Sequence, residues 1–215
     1  MTAEEAAYQK IVHLILAGHY KPGDFLLEVE LSNSLGMSRT PVSRAISRLV
    51  VEGFLCKMPK KGCYIPQPTP QDSEQVFRAR MVAEGKAAAL AAEHATDEEI
   101  AALARVLEPE ETLLAQRDKD QVAQINRAFH LGIARASHNA YIENWCRTIF
   151  WKSNLYIFYF DSFYHLTQHD DVPPQQTPVQ HKAILEAIRQ RNPELAEARM
   201  LEHIQNTFEK LLYGL

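Results

Sequence analysis

The chain has 215 residues, of which 46% are hydrophobic and 23% charged, with a formal net charge of −4. That size suits one large or two small folded domains, and eight glycines are too few for a Gly-rich β or low-complexity chain. No apolar run reaches the roughly 20 residues a membrane span needs, and three cysteines without a CxxC pair or a signal peptide indicate free thiols in a reducing cytoplasm.

Thr2-Ala3-Glu4-Glu5 is a capping box. It opens a first helix with Ala7, Ile11, Leu14 and Ile15 on its apolar face, and Gly18 ends it. Lys21-Pro22-Gly23-Asp24 makes a turn, and a short helix from about residue 28 to 35 follows, with Val29, Leu31 and Leu35 as core positions. Gly36 turns the chain into a third helix, which Ser38 or Thr40 can cap, Pro41 suits in its first turn, and Gly53 stops. Val42, Ile46, Leu49 and Val50 form its buried stripe. Ser38, Arg39, Thr40, Ser43, Arg44, Ser47 and Arg48 remain on the outer faces. Arg can pair with a guanine edge, while hydroxyls and helix N-terminal NH groups hold phosphates. The third helix therefore reads as a recognition helix for double-stranded DNA.

Two short β-like runs, residues 54–58 and 63–65, flank Pro59-Lys60-Lys61-Gly62. Three helices and a hairpin make a winged helix-turn-helix, with Lys60, Lys61 and Gly62 carried at the wing tip toward the minor groove. Cys56 and Cys63 are placed where they could face each other across the wing, and buried thiols are expected there rather than a redox switch. The overall charge argues against nucleic acid, but its distribution does not. Residues 36–65 hold Arg39, Arg44, Arg48, Lys57, Lys60 and Lys61 against Glu52 alone, a local +5.

Three prolines in the five residues 66–70 break the pattern. The expected division is a winged helix-turn-helix domain over 1–66, a Pro-rich linker over 67–71, and an all-helical antiparallel bundle over 72–215. Cap signals predict six helices there: from Thr69-Pro70 to about His94, from Thr96 (a capping box with Glu99) to about Arg117, from Asp118 or Asp120 to about Ala136, from Asn139 to about Phe160, from Thr177-Pro178 to about Arg191, and from Asn192-Pro193 to about Tyr213. A polar loop through His169, Asp170, Asp171, Pro173 and Pro174 separates the last two from the rest. His138, His165 and His169 are expected in loops or caps. Trp151, Tyr156, Phe158 and Tyr159 are expected in the core, a pocket wall or a dimer surface.

Lys21-Pro22-Gly23, Glu30-Leu31-Ser32, the run from Leu35 to Val42, Leu49, Glu52-Gly53 and Lys61-Gly62 resemble the winged-helix domain of GntR-family bacterial repressors. Arg80 with Glu84, Phe129-His130, the turn Ser137-His138-Asn139, His181 and His203 resemble the helical FCD effector domain of the FadR branch, and the six-helix count suggests its VanR-like subgroup. The resemblance implies a cytoplasmic homodimer that represses transcription from a pseudo-palindromic operator and responds to a small carboxylate or hydroxy acid. Arg39 carries over to DNA, with Ser38, Thr40 and Gly62 beside it. The family pattern has Arg where Ser43 stands and Glu where Arg44 stands, so the basic residue is displaced by about 100° around the helix. A different half-site is implied. Arg44 is assigned on physical grounds alone.

His130, His181 and His203 lie on separate predicted helices, with Asn126 one turn before His130. The resemblance implies that they hold a divalent transition metal, Zn, Ni or Mn, since FCD domains use an Asp and three His in this arrangement. Asn126 replaces the Asp and brings no charge, which leaves a metal-free polar pocket as the alternative. Arg80 can offer a fork to an effector carboxylate or simply pair with Glu84 four residues on. Two further functions compete: a regulator for which the ion itself is the signal, and a metal-dependent hydrolase. The sequence has no HExxH, Ser-His-Asp or phosphate-loop pattern to support the latter.

Overall fold

A computed structural model describes residues 2–16, 18–67, 69–116, 119–159 and 176–212. The expected loop with His165, His169, Asp170, Asp171, Pro173 and Pro174 lies outside these residues, as do Pro68, Asp118 and the side chains of Asp120, Trp151, Phe158 and Tyr159.

The N-terminal unit contains α1 (Ala3–Leu16), β1 (Phe25–Leu26), α2 (Glu28–Leu35), α3 (Arg39–Val51), β2 (Cys56–Met58) and β3 (Gly62–Tyr64). Thr2 Oγ1 accepts the Glu5 N–H at 3.1 Å and so caps α1. Gly36 closes α2 at φ 61°, a left-handed position suited to glycine, with the Met37 N–H returning to the Ser32 carbonyl. That reversal aims α3 outward while Leu31, Val42, Ala45, Ile46 and Leu49 join Ala7, Tyr8, Ile11 and Ile15 in one core. Two stripe assignments change: Val29 is exposed and Val50 only half-buried. The helix α2 is too short for its 3.6-residue period to choose between neighbouring faces.

The sheet has order β1-β3-β2, with both pairings antiparallel. The first strand has only two residues, too few for alternation to reveal it. The register sets Cys56 opposite Tyr64 and Lys57 opposite Cys63, so the two cysteines do not face each other. Both are free thiols.

The helical unit contains α4 (Pro70–His94), α5 (Asp97–Leu107), α6 (Glu110–Ala115), α7 (Lys119–Ala136), α8 (Ala140–Tyr159), α9 (Thr177–Arg189) and α10 (Pro193–Leu212). Thr69 caps α4 through the Asp72 N–H, and Thr96 with Glu99 completes a reciprocal capping box on α5. The single helix expected from Thr96 to Arg117 is divided at Glu108-Pro109, because Pro109 has no N–H to continue the ladder. The described residues thus give seven helices in this unit instead of six.

The long helix α4 packs along α10, α8, α7 and α9. Its buried Ala87, Ala88, Ala91 and Ala92 allow that close approach, and a Cβ at Gly85 would meet Leu201 at 3.1 Å. The core of this unit runs from Val76 to Leu211 and, among the described residues, shares none with the N-terminal core. Among the described residues, no helix is long and apolar enough to cross a membrane.

Candidate nucleic-acid face and buried histidine site

The first turn of α3 presents Ser38, Arg39 and Thr40 to solvent. Ser38 occupies the N-cap position without using its hydroxyl there. The remaining face is partly committed within the domain. Ser43 Oγ donates to Glu28 Oε1 at 3.0 Å, and exposed Arg44 lies 4.0 Å from Glu4. Arg48 donates to Glu5 at 2.7 Å and to Glu52 at 3.0 Å, with its guanidinium 3.9 Å from the Tyr8 ring centre. Arg48 therefore braces α3 against α1, about two turns beyond Ser38, Arg39 and Thr40. Lys60, Lys61 and Gly62 are exposed at the hairpin tip, with Lys60 at φ 66° and Gly62 at φ 106°.

The second site is interior. His130 on α7, His181 on α9 and His203 on α10 are each at most 2% exposed. One nitrogen from each lies within 4.8 Å of the others. Each ring is oriented by an oxygen at Nδ1. His130 Nδ1–H donates to Glu84 Oε2 at 2.5 Å, His181 Nδ1–H to Glu110 Oε1 at 2.7 Å, and His203 Nδ1–H to Gln180 Oε1 at 3.0 Å. That tautomer leaves the Nε2 atoms as bases. His181 Nε2 is buried without a hydrogen-bond partner among the described residues. A buried imidazole base with no donor, beside two others held in the same sense, is a donor set that suits a borderline-soft divalent ion. Asn126 sits one turn before His130 on α7 and is half-buried.

Arg80 completes the interior. It is fully buried, donates from Nε to Glu84 Oε1 at 2.5 Å, and places Nη2 3.3 and 3.4 Å from the two His130 nitrogens. Its Nη1 has no partner among the described residues. The pairing with Glu84 is thus formed, and one arm of the guanidinium is left over.

Residues 3–65 match the family described as bacterial regulatory proteins, gntR family, and residues 75–206 match the FCD domain. The chain belongs to the GntR family of bacterial transcriptional regulators and carries an FCD domain. It is 26% identical to the HTH-type transcriptional regulator YdhC of Bacillus subtilis (strain 168), over 97% of this chain and 90% of that one. It is 28% identical to the Nta operon transcriptional regulator of Aminobacter aminovorans, over 90% of this chain and 87% of the relative. Its fold is similar to the solved structure of E. coli McbR/YncC, with TM-score 0.81, 24% identity, and coverage of 99% of this chain and 98% of that one. These relatives are regulators, so the hydrolase alternative falls away.

In this GntR-family chain, sequence reasoning singled out the three histidines but not the oxygens behind them. Glu110 and Gln180 carry no motif. The spacing Leu103, Leu107, Glu110 gives no reliable signal either, because the helix breaks at Pro109 between the leucines and the carboxylate. Glu84 was visible only as a partner for Arg80.

The electrostatics of the interior predict acid sensitivity. Burial lowers the affinity of His130 for a proton, more than Glu84 raises it, and burial likewise lowers that of His203. Burial pushes Glu84 up, but Arg80 and then His130 outweigh it and hold its carboxyl below the ordinary 4.5. In the metal-free protein the unfolded chain therefore takes protons first. Stability falls as pH drops below the 6.5 ordinary for histidine, and falls further below 4.5 as the unfolded Glu84 protonates. Urea midpoints measured in the presence of chelator should change little from pH 7.5 to about 6.5 and decline from there to pH 3.5. A flat profile would contradict this account of the interior.

Proposed function

We propose that this regulator is a repressor that binds a pseudo-palindromic operator as a homodimer and responds to a small carboxylate or hydroxy acid. Residues 1–66 read DNA, residues 67–71 link, and residues 72–215 sense and dimerise. Arg39 reads base edges, Ser38, Thr40 and Arg44 flank it, and Lys60, Lys61 and Gly62 follow the backbone. Ser43 and Arg48 support that surface through Glu28, Glu5 and Glu52. Large apolar side chains exposed on α4 and α8 (Val82, Tyr141 and Trp145) suit contact with a second copy.

One observation carries the sensing half: two buried donor or acceptor atoms, Arg80 Nη1 and His181 Nε2, lack partners among the described residues in the same interior. His130, His181 and His203 would hold a divalent ion, Zn, Ni or Mn, with Asn126 able to add a neutral oxygen. The ion would supply open coordination positions for a carboxylate. Arg80 Nη1 would take the effector's second oxygen. Effector binding then biases the spacing of the two DNA-reading heads, with a coupling on the order of 1–3 kcal/mol.

The test is a gel shift at fixed salt with DNA from the regulator's own promoter region. Retardation should depend on intact regulator and be relieved by a small carboxylate only after metal add-back. Metal alone relieving it assigns the signal to the ion, and no retardation at any low-salt condition removes the proposal. Lys60→Ala and Lys61→Ala should each weaken binding about equally for all sequences and lower the salt slope by about 1. An unchanged slope would take the wing off the phosphates.

A further inference from the structure

We infer that Glu110 delivers to the ion, through His181, the negative charge that Asn126 does not bring. This rests on the metal reading above. Glu110 is 1% exposed at the start of α6, and its Oε1 lies 2.7 Å from His181 Nδ1. Its second oxygen, Oε2, is buried without a hydrogen-bond partner among the described residues. The other buried carboxylate, Glu84, is already paired with Arg80 and His130. No lysine or arginine is recorded within ion-pair distance of Glu110 among the described residues, so the interior holds two acids against one guanidinium.

A buried carboxylate is costly unless a cation or several hydrogen bonds answer it. His181 alone gives one. An ion on His181 Nε2 places positive charge behind the ring, and the Nδ1–H bond to Glu110 then strengthens. In the same way the carboxylate raises the basicity of Nε2 and fixes the ring toward the ion. Glu110 is therefore a positioning residue, not a ligand: its carboxylate does not join the group of atoms lying within 4.8 Å of one another. The neutral Gln180 does the same for His203 without charge.

The test uses the full chain with Zn2+ in competition with a chromophoric chelator, and Co2+ as a spectroscopic probe. E110Q keeps an acceptor at Nδ1 and removes only the charge. It should bind Zn2+ with unchanged stoichiometry but 10–100-fold more weakly, leave the shape of the Co2+ visible band unaltered, and be at least as stable as the parent when metal-free. N126D should restore most of the affinity in the E110Q background. Zn2+ affinity in E110Q within twofold of the parent overturns the inference, and so does metal-free destabilisation alone. A changed Co2+ band overturns the positioning role by making Glu110 a ligand. If E110Q does not fold, E110D, which retains the charge but draws it back from Nδ1, should bind at least threefold more weakly, and equal binding overturns the inference. A parent that binds no Zn2+ overturns the metal reading as well, whereas a parent and E110Q that bind alike sink the role of Glu110 alone.

Discussion

Arg39→Ala should abolish sequence-specific retardation while leaving weak, salt-sensitive binding in place. Arg39 is exposed at the first residue of α3, next to an N-cap serine whose hydroxyl is not used in capping. A guanidinium there can reach the N7 and O6 of guanine, worth about 1–3 kcal/mol of discrimination per half-site. Two heads make that roughly 2–6 kcal/mol for a dimer, on the order of 30- to 25,000-fold. Binding to unrelated DNA should change little, because the phosphate contacts proposed for the wing would remain. The comparison with Arg48→Ala is informative. Arg48 is held by Glu5 and Glu52, so its loss should lower the thermal stability of the N-terminal unit as well as its affinity. Equal affinity of parent and Arg39→Ala for a mapped operator would move the reading face off the start of α3.

The second large effect is on the helical unit. Arg80→Ala leaves Glu84 buried with only His130 to answer it, and removing one partner of a buried ion pair costs about 3–5 kcal/mol. His130 lies 2.5 Å from the same carboxylate and can absorb part of the loss by taking a proton. Its titration, followed by NMR in metal-free protein, should move upward in the variant. Replacing the pair together, Arg80→Met with Glu84→Leu, should cost less than Arg80→Ala alone, since neither charge is then left unpaired and the remaining cost is the His130 Nδ1–H without its acceptor. Both variants should lose the effector response. Full stability in Arg80→Ala would mean that the pair contributes little to the interior.

What was legible in the sequence divides along physical lines. Caps were clear because they are local: Thr2, Thr69, Thr96 and Asn139 each bond to backbone two or three residues on, so the signal and its consequence sit together. The buried stripe of α3 was clear because 13 residues give the helical period room to show. The two-residue β1 was not, because it exists only through pairing with β3, almost forty residues away. The break after Leu107 is signalled by Pro109, but the apolar pattern on both sides runs across it and masks it. At the interior site the imidazoles stood out through the family resemblance. The oxygens that orient them did not, since Glu84, Glu110 and Gln180 lie 46, 71 and 23 positions from the rings they meet. Convergence of that kind is a property of packing, which no local pattern encodes.

Among the described residues the two apolar cores have none in common, and defects in this regulator should sort accordingly. Harm to the small one, as by Leu49→Ala, should silence DNA recognition while the bundle still melts at its usual temperature. Harm to the large one, as by Phe129→Ala, should leave heads that still fold but answer to nothing. Deaf mutants and mute mutants should therefore map to different halves of the chain, and calorimetry should resolve two heat-absorption peaks of which only one moves when the interior is occupied.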